Sequence, residues 1–286
     1  MPKPHFKTTV LIGVGLIGSS LARDLLHLKM TDEVVGFDLS RRELANAKKI
    51  KAITSVGRDL MASLATADLI IFAVPVRRLR QMIADHGIYF SPQALAIDVG
   101  STKAAIVAEA SRRVPHGNFV GCHPMAGREK SGVAASCEGL FANKQCFLSP
   151  GLTTKPKFVK KAAALWRSLG AKPILLDAKK HDRILSWISH LPHAVASALV
   201  SSLVSEFKRY PETRKFTAGG FLDTTRIAAS SAAMWREIFL DNKINVLRDI
   251  MRFKKELTRL EKFIRNSDEK GITKFMDRAA KLRKSL

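Results

Sequence analysis

The 286-residue chain is 46% hydrophobic and 26% charged, which excludes a disordered polymer and supplies enough apolar side chains for a sizeable core. With 48 Lys and Arg against 25 Asp and Glu, the formal net charge is +23, a balance suited to an anionic substrate, a nucleic acid or a uniformly basic surface. The longest apolar stretches, at 67–76 and 94–99, have only strand length, so no membrane span is expected, and the first residues lack the apolar run of an export signal. Short apolar runs at 8–12, 33–38, 68–74, 95–99 and 118–121 read as strands. The segments 16–28, 41–50, 76–85 and 103–113 between them read as helices. This alternation predicts an α/β fold whose N-terminal part is a Rossmann-type, doubly wound parallel sheet. A further strand–helix–strand set is expected at 146–149, 157–169 and 173–176.

After about residue 178 the strand signals cease, and 182–207, 222–230, 234–253 and 255–265 read as helices. The expected division is an α/β domain at 1–177 and a helical domain at 178–286. Leu247, Ile250, Phe253, Leu257, Leu260 and Ile264 recur every three or four residues and form one apolar stripe. Such a stripe fits either packing within the chain or a homodimer interface. Residues 243–286 hold 14 basic and 6 acidic side chains interleaved with apolar ones, the pattern of a solvated helix face rather than a nucleic-acid arm. Cys122, Cys137 and Cys146 form no CxxC pair and cannot all pair with one another, which suits a reducing cytoplasm.

The stretch Val10-Leu11-Ile12-Gly13-Val14-Gly15-Leu16-Ile17-Gly18 runs from strand through GxGxxG into helix. Gly13 permits a tight turn, Gly15 lets the backbone approach a pyrophosphate, and Gly18 lets helix and sheet pack closely. The phosphates of the dinucleotide then meet free N–H groups at the helix start, around Leu16 and Ile17. Asp38 stands twenty residues past Gly18, where an acid accepts both ribose hydroxyls of NAD and repels the 2′-phosphate of NADP. Arg41 and Arg42 lie just beyond and suit a 2′-phosphate or a solvated helix start; Asp38 decides the reading for NAD. Val74 and Pro75 end another strand at the sheet's carboxyl edge and are expected beside the nicotinamide.

Four polar clusters follow. In Asp98–Lys103, Ser101 either offers its hydroxyl to a substrate or caps the helix that follows, and both roles can hold. In Gly121-Cys122-His123-Pro124-Met125-Ala126-Gly127, His123 ends a strand and suits a general base. Ser189-His190-Leu191-Pro192-His193 lies in a helical stretch that Pro192 should kink. Arg226, in Asp223-Thr224-Thr225-Arg226, offers a planar fork of donors to a carboxylate. The histidines and cysteines lack the spacing of a metal site, and none is expected.

Together these motifs, with Met234-Trp235, resemble the prephenate dehydrogenase family, which includes the arogenate and cyclohexadienyl dehydrogenases. The resemblance runs from Val10 to about Lys243. It implies a helical dimerisation domain after the Rossmann domain, a cleft between them, NAD as cofactor and a small-molecule substrate, prephenate or arogenate. It implies that His123 takes the proton of the ring hydroxyl, that Ser101 supports that hydroxyl, and that Arg226 binds a substrate carboxylate. It also implies His193 and Ser189 near the pyruvyl end, and Glu129 and Asp182 as an acidic pair at the pocket entrance. Two other readings are a related β-hydroxyacid dehydrogenase, which should carry a lysine where 182–193 offers histidines, and a basic nucleic-acid-binding protein, for which no recognition motif is present.

Overall fold

The computed structural model describes residues 3–127 and 132–286. Eight strands form one sheet in the order β3-β2-β1-β4-β5-β6-β7-β8. They are β1 (Phe6–Ile12), β2 (Thr31–Phe37), β3 (Ser55–Val56), β4 (Leu69–Phe72), β5 (Leu95–Asp98), β6 (Phe119–Pro124), β7 (Gln145–Pro150) and β8 (Lys172–Leu175). Central strands read as unbroken apolar runs because both faces of the sheet are covered. In β4, Leu69 and Ile71 enter one core while Ile70 and Phe72 enter the other. The first core takes Leu21 and Leu25 of α1 (Leu16–His27) and Phe158, Leu165 and Trp166 of α6 (Pro156–Ser168). The second takes Leu64 of α3 (Leu60–Thr66), Leu79 and Ile83 of α4 (Val76–His86), and Ile106 and Ala110 of α5 (Ala104–Arg113). The short helix α2 (Arg41–Lys49) follows β2, capped by Ser40.

One departure from the expected sheet is its reversal at β7, which pairs antiparallel with β6. A parallel neighbour needs a crossover, usually helical. Among the described residues, the link from β6 to β7 holds only the 3-10 turn Val133–Ala135, so the chain returns along the same edge. The sheet ends at Leu175, and α7 (Ala178–Leu185), capped by Asp177, opens the helical part.

The expected helix 182–207 is three helices and a π turn. After α7 come the π turn Ser186–His190, α8 (Leu191–Ser202) and α9 (Val204–Arg209). Pro192 has no N–H to return to the preceding turn, and the widened turn absorbs that loss. This run, Ala178–Arg209, does have the length and apolarity to cross a membrane, contrary to the reading of short apolar stretches, by length and composition only. In the fold α7 packs on α5. The remaining helices are α10 (Gly219–Thr225), α11 (Ala232–Asp241), α12 (Lys243–Arg265) and α13 (Glu269–Lys284). The break falls at Asn242, whose side chain bonds the Asp182 carbonyl and His190, and not at Lys254.

Candidate active site

β1, β4, β5 and β6 run parallel, so their carboxyl ends share one edge. The strand order reverses between β1 and β4, the crevice where open α/β sheets bind ligands. Gly13 sits there at φ +94°, and a Cβ on it would lie 2.4 Å from the Ala73 carbonyl oxygen and 2.9 Å from Val74 Cγ1. A Cβ on Gly18 would lie 2.2 Å from the Gly13 carbonyl oxygen. At Gly15 a Cβ would meet nothing within 4 Å. That open side adjoins the start of α1, where Gly15 is the N-cap and has no side chain to bond the first N–H groups of the helix. Asp38 is half-buried past the end of β2; its Oδ2 accepts from Val14 N at 3.0 Å and its Oδ1 from Ser40 N at 2.8 Å. Turn, open wall and acid therefore fit a dinucleotide. Pro75 caps α4 at the same edge.

The next two strand ends carry Asp98 and His123. Asp98 is fully buried and paired with Lys103 Nζ, while its Oδ1 accepts from Cys122 N at 3.0 Å and its Oδ2 from Gly100 N at 2.8 Å. This pair closes the loop that carries half-buried Ser101 and ties it to the strand carrying His123. Ser101 does not cap the helix. The N-terminus of α5 is capped from a distance by Asp182, whose Oδ1 accepts from Lys103 N at 2.7 Å and whose Oδ2 accepts from Ala104 N at 2.9 Å.

Asp182 is thus no gate. It is buried at 4% exposure, held by two backbone N–H groups and by the neighbouring ring of His181. Glu129, its expected companion, lies outside the described residues. What Asp182 does instead is order two histidines. His181 Nδ1 lies 2.8 Å from Asp182 Oδ1, and His181 Nε2 lies 2.9 Å from His123 Nδ1. A carboxylate accepts, so His181 donates from Nδ1 and its Nε2 is left to accept. His123 must then donate from Nδ1, and its own Nε2 carries the lone pair. Burial is the main force holding the His123 pKa well below its ordinary 6.5, with His181, Lys103 and His190 acting in the same direction. His123 is a neutral acceptor with its orientation set from behind.

The helical side brings His193, Arg226 and Trp235 together. The His193 ring stacks on Trp235 with centroids 3.6 Å apart, and Arg226 is near enough to disfavour a charge on His193. His193 Nδ1 donates to the Ser189 carbonyl at 3.0 Å, across the π turn. Burial lowers the His193 pKa, opposed by that bond and reinforced by Arg226. Ser189 is half-buried, and its carbonyl accepts the His193 bond. Among the described residues no three His, Cys, Asp or Glu are grouped as metal ligands.

Sequence reasoning did not find His181, nor Asn242, which bonds the Asp182 carbonyl and His190. A His-Asp pair at the start of a helix was the only local signal for the first, and nothing local marks the second.

Known proteins share this fold. A family model described as "Prephenate dehydrogenase, nucleotide-binding domain" matches residues 21–175, and one described as "Prephenate dehydrogenase, dimerization domain" matches 177–278. The chain is 35% identical to prephenate dehydrogenase of Bacillus subtilis over 283 residues, covering 98% of this chain and 76% of that one. Its fold is similar to the crystal structure of prephenate dehydrogenase from Aquifex aeolicus in complex with hydroxyphenyl propionate and NAD⁺, with a TM-score of 0.88, 31% identity and 98% of both chains covered. It is also similar to Synechocystis arogenate dehydrogenase, at TM-score 0.81 and 26% identity, over 97% of this chain and 99% of that one. With a Rossmann-type domain, a helical domain and both family models accounting for most of its length, the chain belongs to the prephenate dehydrogenase family.

Proposed function

We propose that this chain catalyses the oxidative decarboxylation of prephenate to 4-hydroxyphenylpyruvate, with NAD⁺ as oxidant, in tyrosine biosynthesis. The observation that carries the reading is the Asp182–His181–His123 chain, which leaves His123 Nε2 as a neutral acceptor at the carboxyl edge of a dinucleotide-type sheet. Gly13, Gly15, Gly18 and the N–H groups at Leu16 and Ile17 cradle the pyrophosphate, Asp38 takes the ribose, and Val74 and Pro75 flank the nicotinamide. When bound, NAD⁺ supplies the hydride acceptor. His123 Nε2 takes the substrate's hydroxyl proton as hydride leaves the ring carbon that bears it. The ring carboxylate departs as CO₂, its electron pair restores aromaticity, and the oxygen regains a proton. Ser101 supports the hydroxyl. Arg226 holds a carboxylate through donors that never act as an acid near neutral pH, with His193 and Ser189 at the pyruvyl end.

Arogenate, which carries an ammonium on its side chain, is the alternative. The groups around His193 are a guanidinium, an indole and a carbonyl. The relatives named prephenate dehydrogenase, at 35% and 34% identity, favour prephenate. We also propose a homodimer, a domain boundary at 177/178 and a cytoplasmic setting in keeping with three free thiols. The test is NADH formation by the purified chain with prephenate and with arogenate, each under NAD⁺ and NADP⁺. Turnover is expected with prephenate and NAD⁺; none with either substrate would remove the reading.

A further inference from the structure

We propose that Asn242 is a positioning residue of the active site, holding His190 as the neutral tautomer protonated on Nε2. His190 is buried at 1% exposure beside the Trp235 ring, with centroids 5.9 Å apart. It is one of four histidines, with His123, His181 and His193, and its ring nitrogens admit either proton arrangement until a neighbour decides. Asn242 decides it. Its Nδ2 donates to the Asp182 carbonyl at 2.7 Å and lies 3.1 Å from His190 Nδ1. Its amide orientation is fixed twice: a backbone carbonyl can only accept, and Asn242 Oδ1 is taken by Asn245 Nδ2 at 2.7 Å. Arg248, whose guanidinium can only donate, fixes Asn245 in turn by bonding its Oδ1. The chain of donors thus runs one way, from Arg248 through Asn245 and Asn242, and ends on the lone pair of His190 Nδ1. A proton there would face another donor.

The surroundings agree. Asp182 favours a charge on His190, but burial, His181 and His193 oppose it, and the net effect lowers its pKa to about 4. His190 therefore adds no charge beside His123 and does not compete as a base. Its Nε2–H is a permanent donor for a substrate oxygen, a last step that rests on the function proposed above. Asn242 also stands at the junction of α11 and α12 next to Asp241, which accepts from Thr102 Oγ1 at 2.6 Å, the residue after Ser101. One junction thus orders both the Ser101 loop and the His190 ring.

The test uses the full chain labelled with ¹⁵N-histidine, with His190→Gln to assign the signal. At neutral pH the wild-type His190 should show a protonated Nε2 and a bare Nδ1. In Asn242→Asp a carboxylate faces Nδ1. There His190 should gain a proton on Nδ1 and titrate at higher pH, and KM for prephenate should rise about tenfold with NAD⁺ affinity unchanged. A wild-type His190 protonated on Nδ1 would overturn the proposal, and that spectrum decides the matter even if the variant does not fold. A folded Asn242→Asp with the wild-type tautomer would also overturn it, as would a changed tautomer with unchanged KM. Absence of turnover in the wild type would fall on the proposed reaction and leave the tautomer result standing.

Discussion

In the proposed reaction His123 is made a base by what stands behind it. Its Nδ1–H is committed to His181, and His181 is committed to a carboxylate pinned by two backbone N–H groups. The base must be neutral to work, so kcat/KM falls as pH drops through its pKa. Because burial pushes that pKa well below 6.5, the falling limb should lie below pH 6.5, and the profile should be level across neutral pH. A limb centred at or above 6.5 in a pH–rate profile would contradict this. Asp182→Asn replaces an acceptor with an amide that can donate, which permits the wrong tautomer of His181 and hence of His123. A fall in kcat of at least about 10²-fold is expected, with NAD⁺ binding retained in a direct titration. That His123 ends a strand was legible from the sequence because it sits in a compact motif. Asp182 was visible but misplaced: lone carboxylates are mostly at surfaces, and nothing nearby in sequence reveals that α5, 79 residues earlier, needs its cap.

Among the elements, the glycine turn separates folding from binding. Gly15→Ala adds a methyl to open space, so stability should change by less than about 0.5 kcal/mol while NAD⁺ affinity falls tenfold or more. Gly18→Ala drives a methyl into the Gly13 carbonyl and should cost about 1–3 kcal/mol of stability, read as a lower denaturation midpoint. Equal stability losses in the two variants would contradict the assignment. Strands and helices flanking this turn were legible because both sheet faces are covered and the periodicities are clean. The reversal of β7 was not, since strand direction depends on how the chain returns. The π turn was half legible: Pro192 announces a disturbance, but whether the helix kinks or widens depends on the packing of the turn around it.

Across the whole molecule, four of the six stripe residues on α12, Leu247, Phe253, Leu257 and Ile264, are exposed in the single chain. Leu247 is 50%, Leu257 55% and Ile264 60% exposed. Repeated large apolar side chains on one long helix, in a region matching a dimerisation domain, call for a second copy. Sedimentation equilibrium at micromolar protein should give twice the chain mass of 31.6 kDa. Leu257→Glu should shift the equilibrium toward monomer; a wild-type monomer would refute the dimer. If the two parts of the chain meet around His123 to oxidise prephenate, NADH absorbance with NAD⁺ and prephenate, followed in the wild type and in His123→Asn, will show it. Turnover in the wild type, with kcat reduced about 10²–10⁴-fold in a folded His123→Asn that still binds NAD⁺, is the expected result. Wild-type rates in the variant would contradict it.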